Sequence, residues 1–179
     1  PHLNKDARVF SWVSLLYAFG MFLLLPIFPN FIESILKNEA LVGYFYSLTS
    51  VAMILAGIVS AYFYKKFSRI NLLYFFLLTI SLTTFFFVFV GTVYNLLPLE
   101  FLRIFSALII FISLSLMVRD FTAPKNLEKT EGVYFLFNNI GWFVGPVVGG
   151  VLAKYGGYEL VFVLSGFSFI AALIYVIHQ

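Results

Sequence analysis

Gly141-Trp142-Phe143-Val144-Gly145-Pro146-Val147-Val148-Gly149-Gly150 lies inside a charge-free run from Gly132 to Ala153. Gly141, Gly145 and Gly149 recur every fourth residue, which stacks them along one face of a helix. A stripe of missing side chains lets a second helix approach closely in lipid, where packing and backbone contacts replace the hydrophobic drive. Pro146 lacks an amide donor and crowds the turn before it, so it is expected to bend the helix within that stripe. A lone GxxxG reads as a plain packing seam. Three glycines in phase, with a proline and the closing Gly150, make a more particular hinge or packing motif.

Composition sets the solvent. Hydrophobic residues make up 62% of the 179 positions and charged residues only 11%, against roughly 45–50% and about 25% in soluble domains. Mean hydropathy is +1.01. An integral membrane protein follows, and at about 20 residues per span the chain has room for six helices with short loops. The apolar runs are continuous rather than alternating, which excludes an outer-membrane barrel. The 24 Phe and 11 Tyr suit lipid-facing surfaces and interfacial belts. A net charge of +3 reflects loop lysines and arginines, with no nucleic-acid partner implied. Without cysteine there is no disulfide and no thiolate metal site. The opening apolar run is too long for a cleavable signal peptide and has no small-residue cleavage site.

In chain order the spans are expected at about 9–36, 41–64, 70–93, 102–117, 132–153 and 160–177, forming a single six-helix transmembrane domain over 1–179. Pro26 and Pro29 should loosen the end of the first span. The second carries the small-residue stripe Ala52, Ala56 and Ser60, and a tight basic turn, Lys65-Lys66-Phe67-Ser68-Arg69, follows it. The third, rich in Phe and free of charge, reads as the most lipid-exposed. Pro98 marks a turn before the fourth, and the polar stretch 119–131 reads as the longest loop. A Gly-Gly turn over 154–159 separates the fifth span from the sixth.

Six spans put both termini on one side. Eight basic residues fall on that side (Lys5, Arg8, Lys65, Lys66, Arg69, Arg119, Lys125, Lys129) and three on the other (Lys37, Arg103, Lys154). The positive-inside rule therefore assigns both termini to the cytoplasm.

These features together resemble one half of a major facilitator superfamily transporter. The run from Gly141 to Gly150 matches that family's fifth-helix pattern GxxxGPxxGG. Gly57 to Arg69 resembles its loop between helices two and three, roughly GxLaDrxGRr, with Lys65 in place of the aspartate and Ser68 in place of the second glycine. Arg103 with Ala107 echoes the RxxxG pattern of helix four, and Pro26-Ile27-Phe28-Pro29 resembles the proline-containing end of helix one. The resemblance implies an all-α membrane fold, a three-plus-three inverted repeat, and a midplane substrate site about which two such halves rock. It also implies a second half, or a copy of this chain, as partner.

Candidate cavity residues follow. Arg103 is the strongest, because a charge inside a span usually faces a cavity or a partner. It would contact an anionic or proton-coupled substrate there, or else snorkel at the outer interface and pair with Glu100, three residues earlier. Asn138 and Asn139 need polar partners in lipid and serve either as glue between helices or as substrate contacts. Tyr17 and Gly20 in the first span, with Ser47 and Ser50 in the second, complete the set. Glu33 and Glu39 read as solvated. All eight acids fall at span ends or in loops, leaving no carboxylate carrier for a proton relay. His2 and His178 read as solvated ends. No HExxH, GxxxxGK or Ser-His-Asp constellation points to a metal, a cofactor or an enzyme. The sequence thus reads as one half of an alternating-access carrier of a small solute in the cytoplasmic membrane. A non-transporting scaffold or assembly subunit that uses the glycine seam for helix association is the alternative.

Overall fold

The computed structural model describes residues 5–179, with side-chain surroundings from Arg8 onward; His2 and the side chain of Lys5 lie outside the described residues. Six helices build the fold: α1 (Lys5–Leu23), α2 (Phe28–Leu36), α3 (Glu39–Lys66), α4 (Arg69–Phe86), α5 (Val93–Asp120) and α6 (Leu127–Ile177). Among the described residues there is no strand. Among the described residues five helical stretches are long and apolar enough to cross a bilayer, as an all-α, multi-pass membrane protein requires.

Local chemistry explains the ends. Pro26 lies in the break between α1 and α2, and Pro29 in the first turn of α2. Asn38 caps α3 by accepting from the amides of Ala40 and Leu41 at 2.9 and 3.3 Å. Lys65 and Lys66 close α3 where the helix dipole favours cations. Ser68, with φ −68°, caps α4 through the Asn71 amide, so the turn's backbone needs no glycine at that position. The 51 residues of α6 would extend about 75 Å as one rod, more than twice the hydrocarbon thickness. Gly157 (φ 73°, ψ −177°) breaks the rod in a conformation suited to glycine. Its two arms then both pack on α1.

The first arm meets α1 through the glycine stripe. A Cβ on Gly141 would lie 2.7 Å from the Phe19 amide nitrogen, and one on Gly145 would lie 2.9 Å from the Phe22 Cβ. A Cβ on Gly149 would overlap the carbonyl oxygen of Leu23. The backbone keeps helical angles through Pro146; the break is at Gly157. Gly150 faces away, with nothing within 4 Å of a Cβ, so it does not belong to the seam.

The second arm grips α1 with hydroxyls: Ser165 donates to the Gly20 carbonyl and Ser168 to that of Leu16, both at 2.7 Å. It also grips α4, where Ser81 donates to the Gly166 carbonyl at 2.9 Å. Phe31, Phe87 and Phe162 form an aromatic cluster between α2, the end of α4 and this arm.

Three expectations need correction. The polar stretch 119–131 is not a loop throughout, since α5 runs to Asp120 and α6 starts at Leu127. The third span is not the most lipid-exposed: half of its apolar window is buried, against 17% for that of α3. Leu72, Phe76 and Ile80, with Ser81, Thr83 and Thr84, turn α4 toward α5 and α6. Nor does Pro98 end a turn. It lies within α5, which starts at Val93 and so reaches nine residues further back than expected. The amide missing at Pro98 would have bonded the carbonyl of Tyr94, a residue 89% exposed in the first turn.

Candidate functional site

The longer α5 moves Arg103 inward. It lies ten residues past Val93, about 15 Å along the helix at 1.5 Å per residue, and only 12% of its side chain is exposed. Glu100 lies one turn earlier, on the same face, and is 2% exposed. The reading that every acid falls at a span end or in a loop is therefore wrong for Glu100. The two groups form a bidentate pair, with Arg103 Nε donating to Glu100 Oε2 at 2.7 Å and Nη2 donating to Oε1 at 2.6 Å. The remaining Nη1 lies 3.9 Å from Met21 Sδ. The guanidinium also sits over the Phe28 ring, 4.7 Å from its centroid.

Arg103 opens onto a groove of about 400 Å³ between α1, α3, α5 and the first arm of α6. From α1 come Tyr17, Ala18, Met21 and Phe22, and from α3 Met53. Ile104, Ala107, Leu108 and Phe111 of α5 form the opposite wall, and Asn138 of α6 lies at one side. Tyr17 donates to the Ala107 carbonyl at 2.9 Å, which ties α1 to α5 across the groove. The Asn138 amide donates to Ser14 Oγ at 3.0 Å, and one turn before it Tyr134 is buried with its hydroxyl unpaired among the described residues. Asn138 is thus both glue and lining.

The other candidates part company here. Asn139 is exposed on the opposite side of the first arm. Ser47 and Ser50 are exposed on α3 and donate to the carbonyls of Gly43 and Tyr46, at 3.0 and 2.8 Å, so neither reaches the groove. Gly20 lies under the Phe169 ring, as packing. Met53, which sequence reasoning passed over, is the α3 residue that lines the groove. Its signal was weak: it lies one turn beyond Ser50 on a helix whose apolar residues face every direction. Among the described residues no cluster of metal-ligating side chains occurs.

At the other end of the bundle Lys65 and Lys66 are exposed, and Arg69 pairs with Asp120 at the end of α5. Next to Asp120, Arg119 donates from Nε to Glu131 Oε1 of α6 at 2.6 Å. With Lys65 where an aspartate is usual, the basic turn is still tied by charge to the junction of α5 and α6.

The sequence profile described as Major Facilitator Superfamily matches residues 10–178. A curated relative, Multidrug resistance protein 1 of Bacillus subtilis (strain 168), is 24% identical over 155 residues. That match covers 87% of this chain and 40% of the relative, so the chain spans well under half of the relative's length. No solved structure matches the chain.

Proposed function

The chain belongs to the Major Facilitator Superfamily, a class of non-enzymatic membrane transporters, and on that premise we propose that it carries a small solute by alternating access. It acts as one six-helix half in the cytoplasmic membrane, completed by a second half or by a copy of itself. The observation that carries this reading is the convergence of Tyr17, Arg103 and Asn138, from three helices, on one groove at membrane depth. Polar groups there are costly unless paired or used. A scaffold needs apolar seams only, and nothing in that role calls for a groove lined by an arginine and an amide. The seam of Gly141, Gly145 and Gly149 serves as the close-packed hinge against which the groove opens and closes. Lys65, Lys66 and Arg69 lie on the cytoplasmic side with both termini, a topology supported by the excess of basic residues there.

The test is solute flux into vesicles containing the purified protein. Ala107→Trp should fill the groove and abolish flux while leaving a folded, monodisperse protein, and Arg103→Ala should reduce flux at least about tenfold. Full transport by a folded Ala107→Trp variant would sink the groove as the solute path. Because the chain has no cysteine, a single His178→Cys variant reads the topology. Its thiol should react in intact cells only with membrane-permeant reagents, and labelling by an impermeant reagent from outside would reverse the assignment.

A further inference from the structure

An arginine at membrane depth is ordinarily an anion receptor, with a fixed charge and a planar fork in a low-dielectric setting. Arg103 is not left in that state. The fork that a carboxylate or phosphate would need is filled by Glu100 at 2.6 and 2.7 Å. Nη1 lies against Met21 Sδ and the guanidinium lies over Phe28. An incoming anion that took the fork would have to displace Glu100 and leave a carboxylate, 2% exposed, without its counter-charge, while one that met Nη1 alone would face a cation already neutralised. A buried charge stripped of its partner is among the costliest states a protein can hold. Both groups sit on α5, three residues apart, so the pair moves as a unit with its helix and is not opened by helices shifting past one another.

Apart from the Asn138 amide and the Tyr17 hydroxyl, both already bonded to protein groups, the rest of the wall is apolar. Tyr17, Phe22 and Phe111 contribute aromatic rings to the lining, and Met21 and Met53 contribute adaptable thioethers. Ring faces hold flat lipophilic bodies and tolerate a positive charge, while repelling a negative one. Arg103 is the one charged residue among the described residues that line the groove.

We infer that Glu100 is a specificity-determining residue: it neutralises Arg103, so that the groove admits a lipophilic uncharged or positively charged solute and turns anions away. This rests on the groove being the solute site. Tetraphenylphosphonium and tetraphenylborate, ions of nearly the same shape and opposite charge, test it on the purified protein in nanodiscs. Binding that Ala107→Trp removes is groove binding, and what survives in that variant is partition into lipid.

The native protein should bind the phosphonium in the groove and not the borate. Glu100→Gln should expose Arg103, raising groove affinity for the borate by about tenfold or more. Where that variant does not fold, Glu100→Asp, which draws the carboxylate back from Arg103 by one methylene, should raise groove affinity for the borate in the same direction, and an unchanged preference in it counts against the inference equally. Groove binding of the borate by the native protein, as tight as that of the phosphonium or tighter, overturns the charge selectivity alone. So does an unchanged preference in a folded Glu100→Gln variant. Groove binding of neither ion removes the solute-site reading itself, and this inference with it.

Discussion

α1 and α3 are apolar helices of one chain, held in opposite ways. α1 lies between the two arms of α6: glycines on one side bring backbone against backbone, and on the other Ser165 and Ser168 bond its carbonyls. α3 leans on α5 along one stripe, with Ala56 and Ser60 buried and Tyr64 donating to the Ile109 carbonyl at 2.8 Å. Half of the first span's apolar window is buried, against 17% for α3. Both carry glycines, so small residues alone do not make a seam. What separates them is a partner. Gly141, Gly145 and Gly149 have one within this chain, whereas Gly43 and Gly57 of α3 have open space around them. α1 and α6 form the close-packed frame, and α3 presents its outer face to lipid or to the second half proposed above.

The largest effect expected is at Gly149. Its position against the Leu23 carbonyl leaves no room for a Cβ, and the displaced atom is backbone, which cannot swing aside. Gly149→Leu should force the first arm off α1 at a cost of about 3 kcal/mol or more. Gly57→Leu points into open space and should leave the fold of the six-helix unit intact. Thermal unfolding in detergent, followed by size-exclusion, reads both. Equal loss in the two variants would erase the distinction between frame and outer helix, and an unaffected Gly149→Leu would remove the hinge.

How much of this was legible in sequence follows the same division. The seam was legible because a four-residue repeat of glycine has one structural meaning on a helix, and the break after the fifth span because Gly156-Gly157 follows a charge. The exposure of the third span was misread. Phenylalanine content speaks of apolar surroundings and does not separate lipid from protein; the three hydroxyls Ser81, Thr83 and Thr84, all buried, were the better guide. The pairing of Glu100 with Arg103 was read, but its burial was missed because Pro98 was taken as a turn, which cut the helix short and left the carboxylate outside it. A proline six residues into a 28-residue helix disturbs only the first turns. Of the candidate site residues, Tyr17, Arg103 and Asn138 meet. Ser47, Ser50 and Asn139 do not, since facing depends on how helices rotate against one another, and α3, apolar on every side, carries no amphipathic stripe to set that rotation.

A smaller effect separates the hydroxyls of the two regions. Ser165 spans two helices, while Ser50 returns to its own backbone at Tyr46. Ser165→Ala should cost about 0.6 kcal/mol, the typical worth of an interhelical hydrogen bond in a membrane. Ser50→Ala should cost nothing measurable, because its hydrogen bond stays within one helix. Chemical denaturation in mixed micelles resolves the difference, and a larger loss at Ser50 would mean that α3 is held more firmly than its exposure implies.

The smallest expected change is the one that discriminates most. Gly57→Ala adds one methyl to open space on α3. Within the six-helix unit, helix propensity alone acts, so stability should hold steady or rise by up to about 1 kcal/mol. If a second half or a second copy packs on α3, the same methyl stands between two helices that approach at a small residue. The mass of the complex in nanodiscs, corrected for lipid, separates these cases. A complex that dissociates while the unit stays folded puts the partner on α3. An intact complex of unchanged mass leaves α3 to lipid and moves the partner's seat to another face of the bundle, with the exposed Asn139 side of the first arm the next surface to alter.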